Sequence, residues 1–462
     1  MADALVSPSP AAGSVATAGE ISGPRFRSPF GFLAALRRDT LGFLQQCQRE
    51  YGDVVEIRFW PWRSYMFFRP EHIRHVLQEN HRNYWKGTVI QKVKRIAGEG
   101  LVFSDGDLWR RQRQLIQPAF HRERIAALAQ MMVDTTAERL DRWQIHARSG
   151  QPLDVADEMS TLALEIVAKA LFGTDIGTIK DDVIAGVTEG MIYANHLINH
   201  FLTPPMWVPT RANRHGRRAL ARLDRIFNGI IGERRRDPRP HGDLLGMLIS
   251  ARDAETNAAM DDKQLRDEIL TFLVAGHETT AVALAWTWHL LGQHPEVEAR
   301  LHATVGNGSA QSPAPRDFVS LPYVRMTFEE AMRLYPPAWG TSREAYGEDD
   351  IGGAHITPRT VVSVSPYVTH RHPALWEDPE RFDPERFTPE RSAARPEYAY
   401  FPFGGGPRGC VGKQFAMMEG QIILGMIAQR FQLRPVPGHA IEPYPIFTLR
   451  PRYGMPMTLH PR

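Results

Sequence analysis

The sequence predicts a mainly α-helical protein with a smaller β-rich part, and two observations carry this. Helix-like patterning runs long, over residues 30–51, 153–172, 185–201, 261–293 and 413–430. Strand-like stretches are short, at 54–59, 65–68 and 360–365. A chain of 462 residues with 43% hydrophobic and 23% charged residues is ordinary for a globular protein. That length suits two or three domains or one large enzyme domain, and no internal repeat divides it.

Residues 1–23 are rich in Ala, Ser, Pro and Gly. They lack the basic start and apolar core of a signal peptide, and the roughly 20 apolar residues that span a bilayer. They read as a disordered arm without a membrane anchor, ahead of a single domain over 24–462. The net charge of +3 gives no global attraction to nucleic acid. Two cysteines, Cys47 and Cys410, cannot build a disulfide framework, so a reducing, cytoplasmic setting is the default.

Residues 30–51 read as one amphipathic helix. A Trp60-Pro61-Trp62 turn joins the strands at 54–59 and 65–68 into a hairpin; packing on its own domain fits better than the alternative, an aromatic tip that touches a membrane or a substrate entrance. Over 101–120, Trp109 and Arg113 stand four apart on one helix face. Alone, that is a basic surface helix. Arginines crowd 211–239, but Leu220, Leu223, Ile226 and Phe227 interleave with them at helical spacing. A solvated helix face explains them better than a nucleic-acid surface.

Residues 261–293 form the longest helical pattern, apolar enough to consider as a membrane span. Gly276, His277 and Glu278 sit in its middle, where a charge in lipid is expensive. A long core helix ended by Gly292 and Pro295 fits better. Its centre, Ala275-Gly276-His277-Glu278-Thr279-Thr280, places a glycine, an acid and alcohols where helix propensity disfavours them. Such local failures mark function, and a Thr hydroxyl bonded to its own backbone can open the helix into a groove. The alternative is a kink without chemistry. Further on, 306–316 is a loop, and the next helix carries Glu330 and Arg333 at i and i+3, ordinarily a helical ion pair.

Near the C-terminus lies Phe403-Gly404-Gly405-Gly406-Pro407-Arg408-Gly409-Cys410-Val411-Gly412. Its glycines let the backbone take positive φ and lie against a flat partner. Cys410 stands where this loop turns into a helix, and the helix dipole there favours a thiolate. Such a group can be a nucleophile, a redox thiol or a metal ligand; the alternative is a structural cysteine. A phosphate loop fails, because Gln414 follows Gly412-Lys413 and Pro407 stands where the first glycine belongs. No second cysteine lies near for a dithiol or zinc site.

The pattern Phe403, Gly406, Arg408, Cys410, Gly412 resembles the heme-binding loop of the cytochrome P450 superfamily, the heme-thiolate monooxygenases. Cys410 would be the axial ligand of heme b (iron protoporphyrin IX), with electron density that assists O–O cleavage. Phe403 would shield the sulfur, and Gly404 and Gly412 would let the loop lie under the porphyrin. Arg408 would reach a heme propionate. Trp109 and Arg113 resemble the family's propionate-binding pair, and Arg343 matches a further propionate ligand. Residues 275–280 resemble the oxygen-binding motif. In it Thr279 donates a hydrogen bond to dioxygen and Glu278 helps relay protons, with Ala275 beside the heme. Glu330, Arg333 and Arg386 match a buried cluster that braces the cysteine loop.

The resemblance implies the cytochrome P450 fold, with heme buried between the long oxygen-binding helix and the helix after the cysteine loop. It implies a soluble, bacterial-type, monomeric enzyme that inserts one atom of O2 into a hydrophobic small molecule. NAD(P)H-derived electrons would come from a ferredoxin or flavodoxin and a reductase. Arg110, Arg111 and Lys413 would form a basic patch for that donor, unless they are simply solvated. Residues 191–222 would include a mobile helix pair over the pocket. Phe272, Leu273, Ala275, Trp339, Ile446 and Phe447 would line a pocket for a terpenoid, steroid, fatty acyl chain or macrolide. Two rivals are a peroxide-driven or hydroperoxide-rearranging heme-thiolate enzyme and a heme sensor without turnover. The Glu278–Thr279 pair argues against both.

Overall fold

A computed structural model describes residues 21–462, apart from 60–61, 174–179, 200–202, 238, 240–241, 254, 309–311 and 313. Residues 1–20 of the expected arm lie outside the described residues. So do Trp60 and Pro61 of the hairpin turn and Phe201 at the end of a predicted helix.

The first strand, β1 (Arg25–Phe26), leads into α1 (Pro29–Arg38) and α2 (Thr40–Tyr51). The single helix predicted over 30–51 is therefore two. Asp39 leaves the helical region at φ −156° and caps α2 by accepting the Gly42 N–H at 2.9 Å. Strands β2 (Val54–Phe59) and β3 (Trp62–Phe67) pair antiparallel, with Trp62 inside the strand rather than the turn. A short β4 (Tyr84–Trp85) follows, then α3 (Gly106–Ile116), α4 (Ala129–Ser149), β5 (Leu153–Asp154) and α5 (Val155–Phe172). Next come α6 (Lys180–Asn199) and α7 (Arg211–Arg236). As expected, α7 buries Leu223 and Phe227 and exposes Arg211, Arg214, Arg217, Arg218 and Arg225, but Arg234 turns inward to pair with Asp243.

The central helix is α8 (Asp262–Gln293), 32 residues long, whose N-cap Asp261 accepts the Gln264 N–H at 2.7 Å. Gly292 does not end it. The glycine lies inside the helix, where a Cβ would come within 2.8 Å of Pro435, and the helix stops at His294, ahead of Pro295. Among the described residues α8 alone is long and apolar enough to cross a membrane, but most of it is buried in protein. After α9 (Pro322–Leu334) come β6 (Thr341–Ala345), β7 (Asp349–Ile351), β8 (Ala354–Ile356) and β9 (Val361–Val364). Helix α10 (Lys413–Arg430) precedes β10 (Phe431–Pro435), β11 (Pro443–Pro445), β12 (Leu449–Pro451) and β13 (Pro456–Pro461).

The chain divides into two compact units. The first holds the chain up to Thr88, Arg333–Arg381 and Pro389–Cys410. Its sheet runs in the order β1-β2-β3-β9-β6-β4, over a core that includes Phe67, Ile73, Tyr84 and Val364. The second unit holds Val89–Met332, Phe382–Thr388 and Val411–Arg462, with the long helices, the sheet β10-β13-β5 and the β11–β12 hairpin. Helix α5 packs along α8 at Gly276, where a Cβ would sit 2.9 Å from the Val167 side chain. Gly276 thus serves close helix packing.

Glu268, fully buried on α8, accepts the Leu101 N–H at 2.9 Å. Burial pushes its carboxyl up to about 8, the Leu101 N–H opposes, and Asp267 pushes the same way as burial. A raised folded value means the native state holds a proton that the unfolded chain releases. The stability gained is full below 4.5 and is lost as pH rises toward about 8. The melting temperature should therefore fall between about pH 5 and about pH 8 more in the native chain than in Glu268→Gln, measured by calorimetry.

Candidate functional site

In the first unit the cysteine loop is built by its glycines. Gly404 and Gly406 take φ of +68° and +61°, a left-handed backbone that other residues adopt at a cost. A Cβ on Gly406 would lie 2.1 Å from the Leu77 carbonyl oxygen, and one on Gly405 would lie 2.2 Å from the Tyr398 ring. The loop folds over itself: the Cys410 N–H donates to the Phe403 carbonyl at 2.9 Å and the Gly409 N–H to that of Gly406 at 3.0 Å. Cys410 is exposed, two residues ahead of Gly412, the N-cap of α10.

A chain of hydrogen bonds ties this loop to Arg333. The Gly404 N–H donates to the Phe401 carbonyl at 3.0 Å, and the Phe401 N–H donates to His370 Nε2 at 2.9 Å. His370 is fully buried. Burial holds its pKa well below the usual range, with Arg333 and Arg371 acting the same way. The ring is therefore neutral and can accept. Its carbonyl accepts from Arg333 at 2.8 Å. Arg333, also fully buried, donates to the carbonyls of Pro379 at 2.7 Å and Arg381 at 3.0 Å and lies over the Trp376 ring. Elsewhere in this unit, Arg343 on β6 donates to Thr341 Oγ1 at 2.8 Å and the Ser342 carbonyl at 3.0 Å. The Trp339 carbonyl accepts from Ser365 at 2.7 Å. Arg408 ends the short turn Gly406–Arg408.

In the second unit α8 runs unbroken through residues 275–280, so the expected opening of the helix is not seen. The Thr279 hydroxyl donates to the Ala275 carbonyl at 2.7 Å and that of Thr280 to Gly276 at 3.1 Å, each within a regular turn. Ala275 and Thr279 are half-buried, while His277, Glu278 and Thr280 are buried. Glu278 is firmly tethered. Arg450 donates to both of its oxygens and the Thr448 hydroxyl to one at 2.6 Å. His277 Nε2 lies 3.8 Å from Glu278 and 3.3 Å from the Ser160 hydroxyl on α5. Burial lowers the pKa of His277, with Glu278 opposing.

Other expected residues fall as follows. Trp109 is buried and Arg113 half-buried on α3. Arg110 pairs with Asp107 at 2.9 Å and Arg111 with Asp253 at 3.6 Å, so both face acids of their own chain. Phe272 packs on Phe120, ring centroids 5.4 Å apart. Ile446 and Phe447 occupy the β11–β12 turn, closed by the Ile446 N–H shared between the Tyr444 and Thr448 carbonyls at 3.1 Å each. Leu273 is buried. Glu330 accepts the Asp383 N–H at 2.9 Å and faces Arg386 at 3.5 Å.

Several residues escaped the sequence reading. His370, Thr448, Arg450 and Ser160 carry no local pattern and gain their partners only through the fold. Glu419 could have been noticed, as the one acid of α10, between Met417-Met418 and Ile422-Ile423-Leu424; it is fully buried, and burial pushes its carboxyl well up.

The residues fit an iron porphyrin. A thiol, the soft donor that iron takes, is exposed just ahead of a helix N-cap. Gly404 has open space where a Cβ would be, as a loop lying against a flat group requires.

Comparison with known proteins agrees. The family model described as cytochrome P450 matches residues 22–455. The chain is 39% identical over 413 residues to cyclooctat-9-en-7-ol 5-monooxygenase of Streptomyces melanosporofaciens, covering 88% of each chain. It is 38% identical to cyclooctatin synthase of the same organism, covering 92% of this chain and 89% of the other. Among solved structures, the heme domain of cytochrome P450DA superposes with a TM-score of 0.86 at 26% identity, covering 96% of this chain and 98% of that one. The chain belongs to the cytochrome P450 family, and it is a monooxygenase.

Proposed function

We propose that the chain oxidises a cyclic terpenoid, inserting one oxygen atom from O2. The observation that carries this is the 39% identity, over 88% of both chains, to an enzyme named for the 5-oxygenation of cyclooctat-9-en-7-ol. Phe272, Trp339, Ile446 and Phe447 are the pocket residues assigned, all large and apolar. Residues 24–462 act as one heme domain in this reading. We assign a cytoplasmic monomer, served by a ferredoxin or flavodoxin and an NAD(P)H-dependent reductase.

Heme b, when bound, supplies the iron that takes up O2 and the oxidising power for C–H insertion. Cys410 would hold its iron through the thiolate, and Phe403 would shield the sulfur. Arg408, Arg343, Trp109 and Arg113 offer donors to the propionates, which need partners once buried. Gly404 and Gly412 leave the loop room, and Ala275 keeps the α8 face low. Thr279 presents a hydroxyl from that face, and Glu278 is assigned to relay protons toward it.

The test is turnover of cyclooctat-9-en-7-ol by purified protein with a surrogate ferredoxin, its reductase and NADPH. The expected result is a product heavier by one oxygen, absent when H2O2 replaces O2 and the donors. Oxidation of a long-chain fatty acid with no reaction on the terpenoid would overturn the substrate class. Turnover driven equally well by H2O2 alone would favour the peroxygenase rival.

A further inference from the structure

The acid of the Glu278–Thr279 pair is buried in the second unit, and a buried carboxylate needs its charge matched and its lone pairs filled. Both requirements are met from one place, the β11–β12 hairpin. Thr448 donates to Oε1 at 2.6 Å, and Arg450 donates one nitrogen to each carboxylate oxygen, the two-pronged geometry that fixes a carboxylate's plane. Meanwhile the Thr279 hydroxyl is bonded to the Ala275 carbonyl. The hairpin is itself fastened to α8, because Trp286 Nε1 donates to the Leu449 carbonyl at 2.6 Å. Thr448 is buried, whereas the Arg450 side chain is 40% exposed and its charge also acts on Asp157 of α5. Arg450 thus reaches from solvent to the acid.

We propose that Arg450 and Thr448 are positioning residues for Glu278, setting where the proton-relaying carboxylate points. This rests on the reading of Glu278 as the proton-relaying acid. Neither residue is assigned contact with heme or substrate. The hairpin carries the assigned substrate contacts, Ile446 and Phe447, at its turn and the grip on the acid beside it.

Two readouts on the full-length protein test this. The first is amide hydrogen exchange over residues 443–451, which needs no turnover. Arg450→Gln and Glu278→Gln should each speed exchange about tenfold. The double variant should be no faster than either single one, because one interaction is lost in all three. Multiplying effects in the double variant would overturn the grip.

The second is the solvent deuterium isotope effect on NADPH oxidation by heme-loaded protein with a surrogate ferredoxin and reductase. Arg450→Gln should raise the effect about twofold by slowing proton delivery, Thr448→Val should raise it less, and Arg450→Lys should return it toward the native value. An unchanged isotope effect in Arg450→Gln, with faster hairpin exchange, would reduce Arg450 to a structural role and overturn the proposal. If Arg450→Gln does not fold, Thr448→Val and Arg450→Lys decide the same question. Native protein that oxidises no NADPH would overturn the monooxygenase reading instead, and the exchange cycle would still decide the grip.

Discussion

Replacement of Arg333 by methionine is expected to leave little folded, heme-loaded protein. The side chain is fully buried and supplies the hydrogen-bond donors for the carbonyls of His370, Pro379 and Arg381. Methionine fills a similar volume but offers no donor. Three inward-facing carbonyls then lose a partner, each at about 1–3 kcal/mol. The stacking on Trp376 weakens as well. A total loss of at least about 3 kcal/mol is a large share of the roughly 5–15 kcal/mol that holds an ordinary domain together. The effect should reach Cys410, because the His370 ring accepts the Phe401 N–H and the Phe401 carbonyl accepts that of Gly404. Heme content per protein and the urea midpoint, measured on the same preparation, check this. Normal heme loading with an unchanged midpoint would remove Arg333 from the support of the loop. Glu330→Ala should act in the same direction more weakly, since it frees one N–H of Asp383 and the Arg386 charge.

Thr279→Ala is expected to retain heme and to oxidise NADPH while losing product. Thr279 is half-buried, and its hydroxyl donates to the Ala275 carbonyl of the same helix. Alanine is a better helix former, so the fold is not weakened. What disappears is a donor on the α8 face. Losing one hydrogen bond worth about 1.4 kcal/mol corresponds to about a tenfold fall in product formed per NADPH. The electrons should appear as peroxide. Unchanged coupling would show that Thr279 has no part in handling protons.

The residues that act through local geometry were legible in the sequence. The loop at 403–412 could be read because glycines at positive φ and a lone cysteine ahead of a helix are visible in the residue types. The long helix α8 was legible to within a residue, since its apolar run and its Asp261 cap are both local. The break at Asp39 was missed because apolar spacing continues across it, and only the cap geometry shows that one helix has become two. Gly292 misled because a glycine near a helix end reads as a stop signal, whereas here Pro435 crowds that face. Glu278 could be identified as an unusual acid in mid-helix. Its tether to Arg450 could not, because that arginine lies 172 residues away and finds its partner only through the β11–β12 hairpin. His370 was invisible for the same reason: nothing local distinguishes a histidine that must stay neutral to accept a backbone N–H.

The most direct measurement is the absorbance difference spectrum of the dithionite-reduced full-length protein with and without carbon monoxide. Cys410 ligation predicts a Soret band strongly red-shifted from that of a histidine-ligated heme, because the thiolate pushes electron density onto the iron. Cys410→His should move the band back. A histidine-like band in the well-folded native chain would contradict Cys410 as the heme ligand.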